Sequence, residues 1–506
     1  IGAASIDRRP PSPGTASAAA AETTPTLSPG PGTDGGETRT KPSSSRTWVQ
    51  WARVPVGLFL LSAVLMSLLS WERVKQPSAD THFVYLANAM LAGQLQLDKK
   101  PPHKNDWATY EWMRLRSGEE IRGIWLDRNT RRFKTLDGRV MVIDRPEVDP
   151  RARETRYFVS FPPGPAVLMV PLAAIWGYAV NDVVFTLLFA ALNVALCFIV
   201  LRRLSERGLT ERTLSDNLWL TLLFGFGTVH LWCSVLGQVW FTALIVGATF
   251  TWLYILAAID ARHPLLAGIC LAGAFATRTP LLFSVVFFVG FVLFPGGRLL
   301  QREAYAKAVR TLVVFGAPCL VVGCLLLWAN HVRFESWTEF GHSYLAGGQL
   351  QRIRRFGLFN IHFLSKNLSA ALTLLPRIQP EYPFVIVSRH GMSLLLTTPA
   401  WVYLFMPRER KNADAHLWWR LTWATAICVA IPALFYQNTG YEQFGYRFSI
   451  DYTPYLVMLL AIGRRPLTWV FKVAIVVGVA VNTFGAITFK RFDQFYMPGS
   501  TFFDPD

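Results

Sequence analysis

The sequence predicts an all-α polytopic membrane protein with about eleven transmembrane helices and a long first extracytoplasmic loop. Three observations carry that expectation. The chain has 506 residues, of which 52% are hydrophobic and only 16% charged. The apolar residues fall in long blocks rather than in the short periodic runs of a soluble core. The loops between the blocks are short and basic, and biased loop charge sets membrane orientation. The formal net charge is +17. Nucleic acid is rejected as its cause, because the Lys and Arg lie mainly in those loops and in the polar loop after the first span.

The elements follow in order. Residues 1–46 are Pro, Ser, Thr, Ala and Gly with almost no large apolar side chain, so a disordered cytoplasmic tail is expected. A signal peptide is not, because the first apolar run lies too far from the start and is too long. The transmembrane domain is expected over 47–490. Windows of ~20 apolar residues give spans near 54–71, 181–201, 216–236, 239–259, 265–277, 280–295, 311–330, 392–406, 420–436, 449–463 and 467–489. The fifth and sixth are short and split by Arg278-Thr279-Pro280, where proline breaks the helix.

RRLSERGLTER (202–212), GGRLLQREAYAKAVR (296–310), PRERKNADAHLWWR (407–420) and GRR (463–465) are all basic. Placing them in the cytoplasm puts the N-terminus inside. Segments 72–160, 331–391 and 437–448 and the short tail 491–506 then lie outside. PPGPAVLMVPLAAIWGY (162–178) is apolar enough to span, but counting it would invert everything downstream. It is read as a short helix in the outer interface, with prolines at its N-terminus.

Within the first outer loop, Phe83, Leu86, Ala87, Met90, Leu91 and Leu95 fall at three-to-four spacing. That predicts an amphipathic juxtamembrane helix over Thr81–Leu97, with Gly93 close to its end. Residues 119–145 mix β-branched and aromatic residues around Asp137-Gly138, which predicts a small β-hairpin. Phe356–Leu375 reads as another surface helix. Asn367-Leu368-Ser369 matches a glycosylation acceptor pattern that is common by chance. Tryptophans near span ends form the ordinary aromatic belt.

The six cysteines lie in or beside apolar blocks with no CxxC spacing, so neither a disulfide framework nor a zinc site is indicated. No phosphate-binding loop and no GxGxxG fingerprint is visible, which disfavours an ATP-driven pump and a soluble sugar-nucleotide transferase.

Asp80 opens the first outer loop, just past the first span. A carboxylate there can take the proton of a hydroxyl or amine acceptor, or hold a divalent cation such as Mg or Mn. It can equally cap the helix that starts at Thr81. Asp106, in KNDWATYEW, is the second acid of that loop and could converge on the same acceptor. His82 is the weaker neighbour, more often an interface histidine than a ligand. Arg278 follows AGAFAT, and Arg447 is flanked by Tyr446 and Asp451. Arginine at membrane depth needs a cavity or a partner, and it grips phosphate oxygens in a bidentate way. The bland alternatives are a snorkelling Arg278 and an Arg447–Asp451 pair at i,i+4.

SADTHFVYLANAMLAGQLQL (78–97) followed by FPPGPAVLMVPLAAIWG (161–177) resembles the GT-C glycosyltransferases. The nearest likeness is to the bacterial relatives of protein O-mannosyltransferases and aminoarabinose transferases. LLFGFGTVHLWCSVLGQVWFTA (222–243), LLAGICLAGAFATRTPLL (265–282) and FGYRFSIDYTPYL (444–456) are similar to phrases in such proteins. The resemblance covers most of residues 50–490. It implies a GT-C-like fold in a bacterial inner membrane, a polyprenyl-phosphate-linked sugar donor, and inverting hexosyl or pentosyl transfer to an outer glycan, lipid or protein acceptor. It assigns the base to Asp80 and, more loosely, a second role to Asp106. Many relatives carry paired acids at the first position; here Thr81 and His82 follow Asp80, so a metal-independent mechanism is favoured. His82, Arg278, Tyr446 and Arg447 complete the candidate binding set. A flippase or transporter of lipid-linked glycans and a non-catalytic accessory membrane protein are the rival readings. A transporter would need polar groups at mid-membrane and often shows repeated halves.

Overall fold

A computed structural model describes residues 48–345, 349–406, 413–462 and 466–498. The expected tail 1–46, the GRR loop, the start of the basic run 407–420 and residues 499–506 lie outside the described residues. Apart from the first turn of α1, the described residues belong to one unit that begins at Ala52.

The first helix, α1 (Trp48–Leu69), presents Leu60, Leu61, Val64 and Leu68 outward, as a lipid-facing helix would. The amphipathic α2 (His82–Leu91) buries Phe83, Val84, Leu86 and Ala87. Gly93, at φ +73°, turns the chain soon after it, in a left-handed conformation that favours glycine.

The fold is mostly helical, but the loop that follows holds more than the small hairpin expected in it. Strands β1 (Trp107–Leu115), β2 (Glu120–Asp127), β3 (Arg132–Thr135), β4 (Val140–Val142) and β5 (Val148–Val159) form one antiparallel sheet in the order β4-β3-β2-β1-β5. Asp137-Gly138 does turn β3 into β4, with Gly138 at φ +93°. The register Trp107↔Val159 brings the two ends of the loop together. Met113, Ile121, Phe133 and Ile143 pack on the sheet as a small core of their own.

Next come α3 (Gly164–Trp176), α4 (Asp182–Glu206), α5 (Leu214–Phe226), α6 (His230–Ser234), α7 (Val239–Ala258), α8 (Pro264–Thr277), α9 (Val285–Leu293) and α10 (Tyr305–Phe334). The short α11 (Gln349–Phe356) and α12 (Leu364–Leu368) lead to α13 (Leu394–Thr397), α14 (Ala413–Phe435), α15 (Thr453–Ile462) and α16 (Trp469–Thr488). Among the described residues six helices are long and apolar enough to cross a membrane: α1, α4, α7, α10, α14 and α16. The other expected spans are short or interrupted. Gly227 separates α5 from α6, and 3-10 turns at Thr279–Ser284, Pro399–Phe405 and Arg447–Asp451 adjoin α9, α13 and α15. Non-helical backbone at such depth is tolerated where protein or a cavity surrounds it.

The helix expected over Phe356–Leu375 is shorter and mixed: a 3-10 turn at Ile361–Phe363, then α12, then a π-helical turn at Ser369–Thr373. Asn367 is buried in it and donates to Leu434 O at 2.9 Å and Tyr436 O at 2.8 Å. The glycosylation pattern is thus a packing asparagine.

Contacts at the helix ends show the chain direction alternating. Ser78 donates through its backbone N–H (2.7 Å) and its hydroxyl (2.6 Å) to Asp182 at the start of α4. Asp80 O accepts from Val239 N, at the start of α7, at 3.2 Å. Arg491, past α16, donates to Leu69 O at 3.0 Å, and Arg333, in the last turn of α10, to Val159 O at 2.6 Å. At the other end Arg212 reaches Leu460 O at 3.0 Å, and Arg207 pairs with Asp260. The two ends of the bundle are thereby distinct, and the sheet sits at the first. The helix α3 starts against Thr277, at the end of α8, and leads to the start of α4. Both of its termini lie at the sheet end, so it does not traverse the bundle.

Candidate functional site

The site is built where the first loop, the start of α7 and the segment 436–451 meet. Asp80 is 5% exposed. Its Oδ1 accepts from Asn105 Nδ2 at 3.4 Å and lies 3.3 Å from His103 Nε2, while Gln238 Nε2 donates to Oδ2. The residue before α2 makes no side-chain capping bond, and the Asp80 carboxylate is engaged by side chains. The helix-cap alternative is therefore not the observed arrangement. Gln238 is presented by Gly237, at φ +70°, where a Cβ would fall 2.6 Å from Val183 N. Only glycine lets the chain turn this close to α4.

Asp106 joins the same region from the other side of the loop. Its Oδ2 accepts from Trp240 Nε1 at 2.9 Å. Gln238 and Trp240, two residues apart at the start of α7, thus hold one loop acid each. His82 is placed differently from its expected binding role. It is fully buried, stacked on Trp107 at 3.6 Å, with Nε2 bonded to Asn105 O at 3.1 Å. Burial holds it well below the usual histidine range, at about 3, so it is a neutral packing group behind Asp80.

The two arginines separate. Arg278 donates from Nε and Nη2 to Asp451 Oδ1 and Oδ2, each at 2.7 Å. The Arg447–Asp451 pair at i,i+4 does not form, because Asp451 faces α8 across the bundle. Arg447 is 4% exposed. Its backbone N donates to Gln443 Oε1 at 2.9 Å and its Nη1 to Glu442 O at 3.2 Å, while its buried Nε has no partner. Its guanidinium carbon lies 5.3 Å from the Phe241 ring centre and 5.9 Å from that of Trp240. Among the described residues no carboxylate pairs with it. Tyr446 is buried, its ring edge-on to Phe448 and its hydroxyl unpartnered among the described residues.

Four further residues belong to the site and escaped the sequence reading. Lys490 Nζ lies 5.6 Å over Trp240 and 3.8 Å from Glu442 Oε2, and Glu442 pairs with Arg389. Burial holds the Lys490 ammonium below its ordinary range, against the opposing pull of Glu442 and Asp80. His103 completes the cradle of Asp80. Its Nδ1 accepts from Asn105 N at 3.1 Å and its Nε2 bonds Ala79 O at 2.8 Å, so the neutral ring carries its proton on Nε2.

Among the described residues no three His, Cys, Asp or Glu side chains gather as a metal would require. Asp80 and Asp106 are the nearest approach to a ligand pair, and each is already held by separate donors. No protein-family model, curated protein or solved structure matches this chain. What the arrangement offers chemically is a buried carboxylate held by Gln238 at the start of α7, and two cations, Arg447 and Lys490, against Trp240 of the same turn, at one end of an apolar helical bundle.

Proposed function

We propose that the chain is an integral membrane glycosyltransferase of the GT-C kind. About eleven apolar segments cross a bacterial inner membrane, the basic loops face the cytoplasm and the sheet end faces outward. The substrate is a sugar on a polyprenyl-phosphate carrier, and the acceptor is an outer glycan, lipid or protein.

One arrangement carries the reading: the start of α7 supplies Gln238, which with Asn105 and His103 holds a buried Asp80, and Trp240 and Phe241, whose rings flank a buried Arg447 that has no carboxylate partner among the described residues. The acceptor hydroxyl oxygen attacks the anomeric carbon, and its proton passes to Asp80. The bond from that carbon to the carrier phosphate breaks, and the phosphate leaves with the electron pair. Arg447 and Lys490 face that developing charge, where low-dielectric surroundings strengthen it. Gln238, Asn105 and His103 fix the direction of Asp80. Asp106, tied to Trp240, orders the wall between the acid and the cations.

The experiment offers the reconstituted protein radiolabelled polyprenyl-phosphate sugars and, separately, sugar nucleotides. Transfer from the lipid donor alone is expected. Transfer from sugar nucleotides alone overturns the reading.

A further inference from the structure

Glu442 touches both cations assigned to the departing phosphate. Its backbone carbonyl accepts from Arg447 Nη1 at 3.2 Å, and its carboxylate Oε2 lies 3.8 Å from Lys490 Nζ. Both cations also face one ring. The Lys490 ammonium is 5.6 Å from the Trp240 ring centre, and the Arg447 guanidinium carbon is 5.9 Å from it. The other carboxylate oxygen of Glu442 pairs with Arg389, whose Nε donates to Met497 O at 2.9 Å.

The two ion pairs of Glu442 are unequal. Arg389 holds it through a hydrogen bond and is itself fixed by Met497. Lys490, at 3.8 Å, is beyond hydrogen-bond reach and is held by charge alone. The Lys490 and Glu442 side chains are 32% and 30% exposed, and ion pairs in contact with solvent are weak and exchangeable. Lys490 also takes φ +56°, a left-handed conformation that is uncommon for a residue with a Cβ and concentrates at functional sites. Lys490 can therefore leave Glu442 for an oxyanion, while Arg389 keeps the carboxylate compensated.

The transferase reading gives this exchange a use. The donor phosphate is a diester with one negative charge. When its bond to the anomeric carbon breaks, the phosphate keeps the electron pair and becomes a monoester with about 1.5 to 2 charges. Arg447 and Lys490 alone would hold that product more tightly than the donor, and slow product release limits many enzymes. A carboxylate beside Lys490 opposes the added attraction.

We propose that Glu442 is a resident counter-charge that competes with the departing phosphate for Lys490 and so speeds its release. The release role rests on the transferase reading; the competition for an oxyanion does not. Glu442 acts through Lys490 and is a positioning residue.

The test uses the full chain in neutral-lipid nanodiscs, with titration calorimetry as the readout. The probes are a short polyprenyl phosphate, its methyl diester and inorganic phosphate. Glu442→Gln is expected to bind the polyprenyl phosphate about fivefold tighter, the upper end for a partly exposed ion pair. The less charged diester should gain less. Adding Lys490→Gln to Glu442→Gln should erase the gain. If Glu442→Gln fails to fold, Glu442→Gln combined with Arg389→Gln removes the pair at constant net charge and should show the same gain. Unchanged or weaker monoester affinity in the folded variants overturns the proposal, as does an equal gain for both esters. A gain confined to inorganic phosphate gives the competition to a free anion and overturns the release role. In turnover, added polyprenyl phosphate should inhibit Glu442→Gln more strongly than wild type. Failure of the transferase reading would appear separately, as absent transfer with the binding gain intact. Transfer without any gain would overturn this proposal alone.

Discussion

Two short 3-10 segments interrupt the apolar bundle, and an arginine stands at the start of each. Arg278 precedes Thr279–Ser284, and Arg447 opens Arg447–Asp451. In sequence they look alike, and both were candidates to grip a phosphate. In the fold they differ. Arg278 spends its bidentate fork on Asp451, locking α8 to the turn before α15. Arg447 is held by its own backbone neighbourhood and by aromatic rings, with its charge left to meet something else. A buried charge that is already paired supports the fold, whereas one without a counter-charge is available to a ligand.

Breaking the first region should have the largest effect on folding. Arg278→Ala leaves Asp451 buried and uncompensated, which costs about 3–5 kcal/mol. A large fall in the thermal midpoint of the purified protein is expected. The double change Arg278→Met with Asp451→Leu should recover much of it, since replacing a whole buried pair by apolar groups is often neutral. If the double change is as unstable as the single one, the pair is not what holds these segments.

The second region should respond in the opposite way. Arg447→Ala orphans no carboxylate, so its thermal midpoint should stay close to wild type. Its transfer rate should fall by about 10²–10³, as when one transition-state donor is removed. Arg447→Lys should restore only part of that rate, because lysine lacks the planar fork. Unchanged donor kinetics in folded Arg447→Ala would erase the distinction between the two arginines.

The smallest effect concerns pH and the packing behind Asp80. His82 is held neutral, with its folded pKa near 3 against 6.5 when exposed. The unfolded chain therefore binds more protons between those values. The stabilisation is complete above about 6.5 and is lost as pH falls toward 3. His82→Gln, which keeps a donor but cannot titrate, should flatten the thermal midpoint across that window. An unchanged slope would place the acid sensitivity elsewhere.

The parts legible in sequence were those that single segments announce. An acid at the end of a hydrophobic run and a proline between two half-length runs gave Asp80 and the break after α8. The remaining site residues came from distant segments whose local context pointed away from chemistry. Gln238 lies inside VLGQVWF and reads as part of a span. Lys490 follows α16 and reads as an ordinary basic residue at a membrane end. Glu442 stands five residues before Arg447, in a segment with no motif of its own. The bland Arg447–Asp451 pair fails because i,i+4 spacing assumes a regular helix, and residues 447–451 are a 3-10 turn. The sheet was undercounted for a similar reason. Strand β5 carries Arg151, Arg153, Glu154 and Arg156, so its pairing with β1, set by the closure of the loop on itself, leaves little apolar alternation to read.

The most direct measurement is the turnover of purified, folded Asp80→Asn with a polyprenyl-phosphate sugar donor. Asparagine preserves the size of the side chain and removes the charge that takes the acceptor proton. A fall of about 10²–10⁴ in rate, with donor binding retained, is the predicted result. Wild-type turnover in that variant would contradict the account at its centre.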